Sequence, residues 1–296
     1  MTETRLEQIL ATLPRLRIAV VGDLFLDRYL DLDATLTEPS LETGLDAFQV
    51  TRVRSYPGAA GTVINNLAAL GVGTIVPIAV IGDDGEGFEL RQTLAALPAV
   101  RPNHLLARAD RRTPTYTKPM LCAPGAAPRE LNRLDIKNRL PLPIDAETAI
   151  LTALAQVWPS IDALLVLDQV SEADCGVITE RVRQRLTELG AATPNKWILA
   201  DSRARIGLFQ NVCLKPNVTE GRRALGRELP TYMAGGPENP LGARAMYLGD
   251  TLYRIHGTNA PWTIGTNVSS GCIRLRNEDV VDLYERVGVG TRVVVM

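Results

Sequence analysis

The first two-thirds of the chain alternate between two kinds of segment. Residues 17–23 (RIAVVGD), 75–82 (IVPIAVIG), 163–168 (ALLVLD) and 196–201 (KWILAD) are short, nearly continuous apolar runs that close on Gly or Asp. Runs of that length, bounded by turn formers, predict strands buried on both faces. Between them, residues 62–70, 146–157 and 172–189 place apolar side chains at helical spacing with few breakers. The alternation predicts an α/β fold, with a mainly parallel sheet carrying helices on both faces. Ligands of such sheets bind beyond the carboxyl ends of the strands.

The pattern breaks near residues 226–236, where a Gly/Pro-rich stretch begins (MAGGPENPLG, 233–242). Short strand candidates follow at 245–248 and 252–255. A helix is expected over 277–287, capped by Asn277 with Asp279 in its first turn, and a closing strand over 291–295. Nothing there repeats the upstream rhythm. A boundary is therefore expected at about residue 229, followed by a small, mostly-β segment.

Composition narrows the function classes. At about 150 residues per domain, 296 residues allow roughly two domains. With 46% hydrophobic and 22% charged residues, a large core is available and disorder is excluded. Lys+Arg at 32 against Asp+Glu at 33 leaves no basic excess for nucleic-acid binding. No apolar run reaches the ~18 residues of a membrane span. The opening MTETRLEQ lacks the basic-then-apolar pattern of a secretory signal, so a cytoplasmic location is expected. Cys122, Cys175, Cys213 and Cys272 form no Cys-x-x-Cys pair, and the histidines are His104 and His256 alone. Neither a metal centre nor a disulfide framework is expected.

Two clusters carry chemistry. In GDLFLDRY (22–29), Asp27 follows a strand end, where a carboxylate can accept hydrogen bonds from sugar hydroxyls. PGAAGT (57–62) leads into a helix, and its small residues allow backbone to approach a ligand. With PGAAGTVINNLAALG (57–71), IGDDGEG (81–87), TPTYTK (113–118), NRLD (132–135) and LKPNVTE (214–220), these segments resemble the PfkB (ribokinase-like) sugar kinases. The nearest likeness is the heptose-phosphate kinase domain of ADP-heptose synthesis. The resemblance covers about residues 14–228. It implies an incomplete ribokinase-like domain over 1–228, with a sugar or sugar phosphate held by Asp27, Gly58 and Lys118. Asn217 and Glu220 would place Mg²⁺ and the phosphates of ATP. Two departures weaken the implied activity. Ala59 and Thr62 replace a Gly and an Asn of the family, and its Gly-Ala-Gly-Asp motif does not follow Glu220. That motif supplies the base and an anion hole, so little or no kinase activity is expected.

The second cluster is RIHGTN (254–259) followed by VSSGCIRL (268–275), with His256 and Cys272 sixteen residues apart. A thiol needs a base or a positive neighbour to become a useful nucleophile at neutral pH, and His256 can serve. Backbone N–H groups of Ser270-Gly271-Cys272 can stabilise an oxyanion, and Arg274 can hold a substrate carboxylate. The segment resembles the carboxy-terminal half of the L,D-transpeptidase (YkuD) catalytic domain over 229–296, with Ser270 where Ser-His-Gly-Cys has His. The resemblance implies Cys272 as nucleophile, His256 as general acid/base, Gly257 and Ser270 as orienting positions, and a peptidoglycan stem peptide as substrate. No cofactor is implied for that chemistry. It does imply work outside the cytoplasmic membrane, which conflicts with the expected location. Transpeptidase chemistry is thus the first reading and sugar-phosphate phosphorylation the alternative. A third reading is a non-catalytic sugar-binding module or a non-functional chimera.

Overall fold

The computed structural model describes residues 3–226, 234–249, 253–264 and 272–293. The chain divides into two compact units, one of residues 8–228 and one of residues 229–296 with 1–7. Helix α1 (Glu3–Thr12) opens the chain. The larger unit then runs β1 (Arg17–Gly22), β2 (Leu24–Pro39), β3 (Asp46–Ala59), α2 (Ala60–Ala69), β4 (Thr74–Gly82), α3 (Gly85–Ala95), β5 (His104–Arg108) and β6 (Thr115–Cys122). It continues through β7 (Arg129–Glu130), β8 (Leu134–Ile136), α4 (Ile144–Val157), β9 (Ala163–Asp168), α5 (Glu180–Ala192), β10 (Trp197–Ser202), β11 (Cys213–Leu214) and α6 (Val218–Leu225).

The anticipated α/β sheet is present. Among the described residues, six strands pair in parallel in the order β11-β10-β9-β1-β4-β5. Alternate side chains of one strand enter different cores, because successive Cβ atoms point to opposite faces. Ala19 and Val21 join Val76, Ile78 and the helices α4 and α5, through Ile150, Leu154, Val182 and Leu186. Ile18 and Val20 join Ile75, Ile81 and the helices α2 and α3, through Ile64, Leu90 and Leu94. Both faces of the sheet are therefore covered by helices.

Two sequence expectations for this unit need correction. The helix expected over 172–189 begins only at Glu180. Asp174 lies in the left-handed region at φ 54°, and its carboxylate accepts the Glu180 N–H at 2.8 Å. The Val177 N–H is drawn to the Asp23 carboxylate at 2.7 Å, so Thr179 becomes the cap of α5. A second sheet was also not anticipated. Its order is β3-β2-β6-β7, with β8 paired to β6, and it is built on the long antiparallel ribbon of β2 and β3. That ribbon is tied to α3, where Arg28 meets Glu86 at 3.2 Å and Ser55 donates to Glu89 at 2.7 Å.

The smaller unit contains β12 (Ala245–Tyr247), β13 (Arg254–His256), β14 (Ile273–Arg274) and α7 (Asn277–Arg286). Strands β12 and β13 pair antiparallel, and β13 and β14 pair in parallel. Asn277 is not the cap of α7: Arg276 holds that position, and Asn277 is the first helical residue with its side chain engaged elsewhere. Residues 291–293 are not strand, while 294 and 295, the rest of that expected strand, lie outside the described residues. Of the strand expected over 252–255, residue 252 lies outside them and the pairing begins at Arg254.

Candidate functional site

In the smaller unit the strand register gathers the predicted residues. His256 pairs with Arg274 across β13 and β14, and Ile255 pairs with Ile273, the neighbour of Cys272. Parallel pairing therefore brings the His and Cys segments alongside each other, although sixteen residues separate them in sequence. Ser270 and Gly271 lie outside the described residues.

His256 is buried, with 3% of its surface exposed. Its Nδ1 faces the carbonyl oxygen of Gly257 within hydrogen-bond reach. A carbonyl can only accept, so Nδ1 carries the proton and Nε2 is left as the basic nitrogen. Cys272 is half-buried. Arg274 donates from Nη1 to Thr263 Oγ1 at 2.9 Å, which fixes the guanidinium.

A tight nest of backbone supports this pair. A Cβ built on Gly257 would lie 2.3 Å from Asn277 Oδ1 and 3.0 Å from Val280 Cγ1. One built on Gly242, whose φ is +69°, would lie 2.1 Å from the same oxygen. Only glycine admits so close an approach. Asn277 accepts the Ala243 N–H at 2.9 Å through Oδ1 and donates to the Thr258 carbonyl at 3.2 Å through Nδ2. Val280, fully buried, seats α7 beneath the Gly257 turn. Sequence reasoning assigned Gly257 an orienting place but missed Asn277 and Thr263. Asn before an acidic helix reads first as a cap, and an isolated Thr carries no signal.

In the larger unit three of the five predicted binding residues meet. Asp27 and Tyr29 share one face of β2, and Lys118 of β6 is the register partner of Tyr29. The Lys118 ammonium reaches Asp27 Oδ1 at 3.0 Å and Tyr29 Oη at 3.1 Å. Partial burial alone would lower Lys118, but these two hydrogen bonds outweigh it and hold the ammonium above its ordinary range. Gly58 lies against the same carboxylate: a Cβ there would come within 2.6 Å of Asp27 Oδ2.

Asn217 and Glu220 meet each other at the start of α6. Asn217 Oδ1 accepts the Glu220 N–H at 2.9 Å and Glu220 Oε2 accepts the Asn217 N–H at 2.7 Å, a reciprocal cap on α6. Mg²⁺ takes an octahedral set of oxygen ligands, so this pair would need further oxygens to hold the ion. Among the described residues, no group of three or more His, Cys, Asp or Glu could hold a metal, and no helix is long and apolar enough to cross a membrane.

A crevice opens where the parallel sheet changes winding direction, between the carboxyl ends of β1 and β9. Its lining includes Asp23, Arg111, Asn138, Cys175 and Val177. Asp23 is buried and accepts the N–H groups of Gln169, Val170 and Val177 at 2.7, 3.0 and 2.7 Å. Burial pushes its carboxyl up to about 6, and the neighbouring Asp168 adds to this against the three amides.

Comparison with known proteins finds likenesses of two kinds. The L,D-transpeptidase catalytic domain family (YkuD) matches residues 183–295, beginning inside α5. The probable L,D-transpeptidase YbiS of Escherichia coli (strain K12) is 46% identical over 106 residues, covering 36% of this chain and 34% of that protein. The bifunctional protein HldE of Hyphomonas neptunium is 29% identical over 232 residues, covering 77% of this chain and 44% of that protein. The chain thus spans about a third of that transpeptidase and under half of that bifunctional protein. One solved structure, Sa239, shares its fold over 73% of the chain, at TM-score 0.50, 11% identity and 65% of its own length. The carboxy-terminal part of the chain is therefore similar to the L,D-transpeptidase catalytic domain, and 77% of the chain is similar to part of the bifunctional protein HldE.

Proposed function

We propose that the carboxy-terminal part performs cysteine acyl transfer of the L,D-transpeptidase type on peptidoglycan stem peptides. The supporting observation is the His256 ring, held by its Nδ1–H on the Gly257 carbonyl so that Nε2 is the base, on a strand paired with the one that follows Cys272. The Cys272 thiol gives its proton to Nε2, and Sγ adds to the carbonyl carbon of the third stem residue. The C–N bond to the terminal D-Ala then breaks, and the imidazolium returns the proton to the departing amine. An amine of a second stem attacks the thioester, forming the new amide and freeing Cys272. Arg274, steadied by Thr263, would receive a substrate carboxylate. Ser270 and Gly271 are proposed from sequence alone as an orienting position and an oxyanion donor. The proposal uses no metal or organic cofactor and places the work outside the cytoplasmic membrane.

The test is intact-mass analysis of the folded full chain after incubation with a carbapenem or a stem tetrapeptide. One acyl adduct on Cys272 is expected, absent from Cys272→Ala. Equal labelling of both proteins overturns the proposal.

A second reading rests on the Asp27–Lys118 pair beside Gly58. Here the ribbon sheet binds a sugar or sugar phosphate, Asp27 accepting from hydroxyls and Lys118 facing an anionic group. ATP and Mg²⁺ would be needed only for phosphorylation. A heptose or hexose phosphate should then raise the melting temperature of the wild type and not of Asp27→Asn. No shift in either protein rejects this reading.

A further inference from the structure

We infer that Asn277 is a positioning residue that sets the tautomer of His256, an inference that rests on the transpeptidase reading for its catalytic meaning. Asn277 meets the active-site strands from beneath. Its Oδ1 takes the Ala243 N–H at 2.9 Å, and its Nδ2 gives a proton to the Thr258 carbonyl at 3.2 Å. The peptide between Thr258 and Asn259 is thereby gripped through its carbonyl. In the peptide just before it, the Gly257 carbonyl is the group that receives the His256 Nδ1–H.

The close approaches of Gly242 and Gly257 to Asn277 Oδ1 leave no slack in this arrangement. Thr258 is buried, with 3% exposure, so water does not readily replace the Asn277 amide at its carbonyl. Asparagine suits the position because one planar group supplies an acceptor and a donor at opposite corners. Aspartate of the same shape keeps the acceptor but turns an oxygen toward the Thr258 carbonyl. Oxygen then faces oxygen, and the 258–259 peptide must rotate or shift away, turning the adjoining 257–258 peptide with it. That movement carries the Gly257 carbonyl off the Nδ1–H and frees the ring to take the other tautomer.

The experiment is ¹⁵N NMR of the imidazole nitrogens in the full chain. His104 and His256 are its histidines, so His104→Gln assigns the signals directly. In the wild type at a pH where the ring is neutral, Nδ1 is expected protonated and Nε2 bare. In Asn277→Asp the ratio of Nδ1–H to Nε2–H forms is expected to fall about fivefold, the factor that one ordinary net hydrogen bond supplies. Asn277→Ala, which removes the donor without adding charge, is expected to change the ratio in the same direction. An unchanged ratio in folded Asn277→Asp and Asn277→Ala overturns the inference, because a merely structural residue would lower the melting temperature and leave the tautomer alone. The readout needs no substrate. Failure of the Cys272 adduct therefore rejects the function, and an unmoved tautomer rejects the role of Asn277.

Discussion

At the residue scale, Gly257 supports two demands at once: its carbonyl orients His256 and its missing side chain makes room for Asn277. Gly257→Ala should cost roughly 1–3 kcal/mol of stability, as overpacking does, because the neighbours are a polar oxygen at 2.3 Å and a buried methyl at 3.0 Å. Urea denaturation measures this, and a wild-type midpoint would mean that the nest relaxes freely. The thiols should also separate by reactivity. Cys175 is buried and its thiol is pushed up by that burial, so in the native protein at neutral pH a maleimide should leave it unmodified while exposed Cys213 reacts. Peptide mapping reads the outcome. His256, Cys272 and Arg274 stand out in sequence because those residue types carry strong chemistry, and the register of β13 and β14 brings their segments together. Asn277 does not stand out, because its task is set by backbone groups of two loops that no spacing rule connects.

Among elements, the anticipated strands β1, β4 and β9 were legible because burial on both faces leaves nearly uninterrupted apolar runs, and β10 because its apolar run closes on Asp201. The β2–β3 ribbon has no such signature. Its charged residues include some paired within the ribbon, on α3 and on β6: Arg54 holds Asp31 at 3.0 and 2.7 Å, Arg28 reaches Glu86, and Asp27 meets Lys118. Their sequence therefore reads as loop. Substitutions should follow the same division. Ile64→Ala, in the core between α2 and the sheet, should cost about 2–5 kcal/mol by denaturant titration. Val53→Ala, on β3 with 56% of its surface exposed, should stay within about 0.5 kcal/mol. Equal losses at the two sites would contradict the assignment of core and surface.

On the scale of the whole molecule, helix–strand alternation announced a parallel sheet but not its order, since a crossover can place the next strand on either side of β1. The chain first builds outward through β4 and β5, then returns past β1 to β9, β10 and β11. Asp23 stands at that reversal, and its carboxyl at about 6 gives the molecule a pH signature. An acid that holds its proton more tightly when folded contributes less stability as pH rises from its unfolded value of 3.8 through about 6. Asp84 acts oppositely. Burial alone would raise it, but Thr113, Gly87 and Arg112 hold it below its ordinary value, so its contribution is lost in stronger acid. Relative to Asp23→Asn, the wild type should therefore lose stability between pH 4 and 7. Parallel curves for the two proteins would remove Asp23 as the cause.

The grip of one asparagine on Ala243 and Thr258 also bears on how such a sequence can be recombined. A crossover between residues 243 and 277 would take the clasp from one parent and the loops it clasps from another. Cut points upstream of Gly242 pass that set on whole, so chains joined before Gly242 should keep the clasp and melt higher than chains joined within.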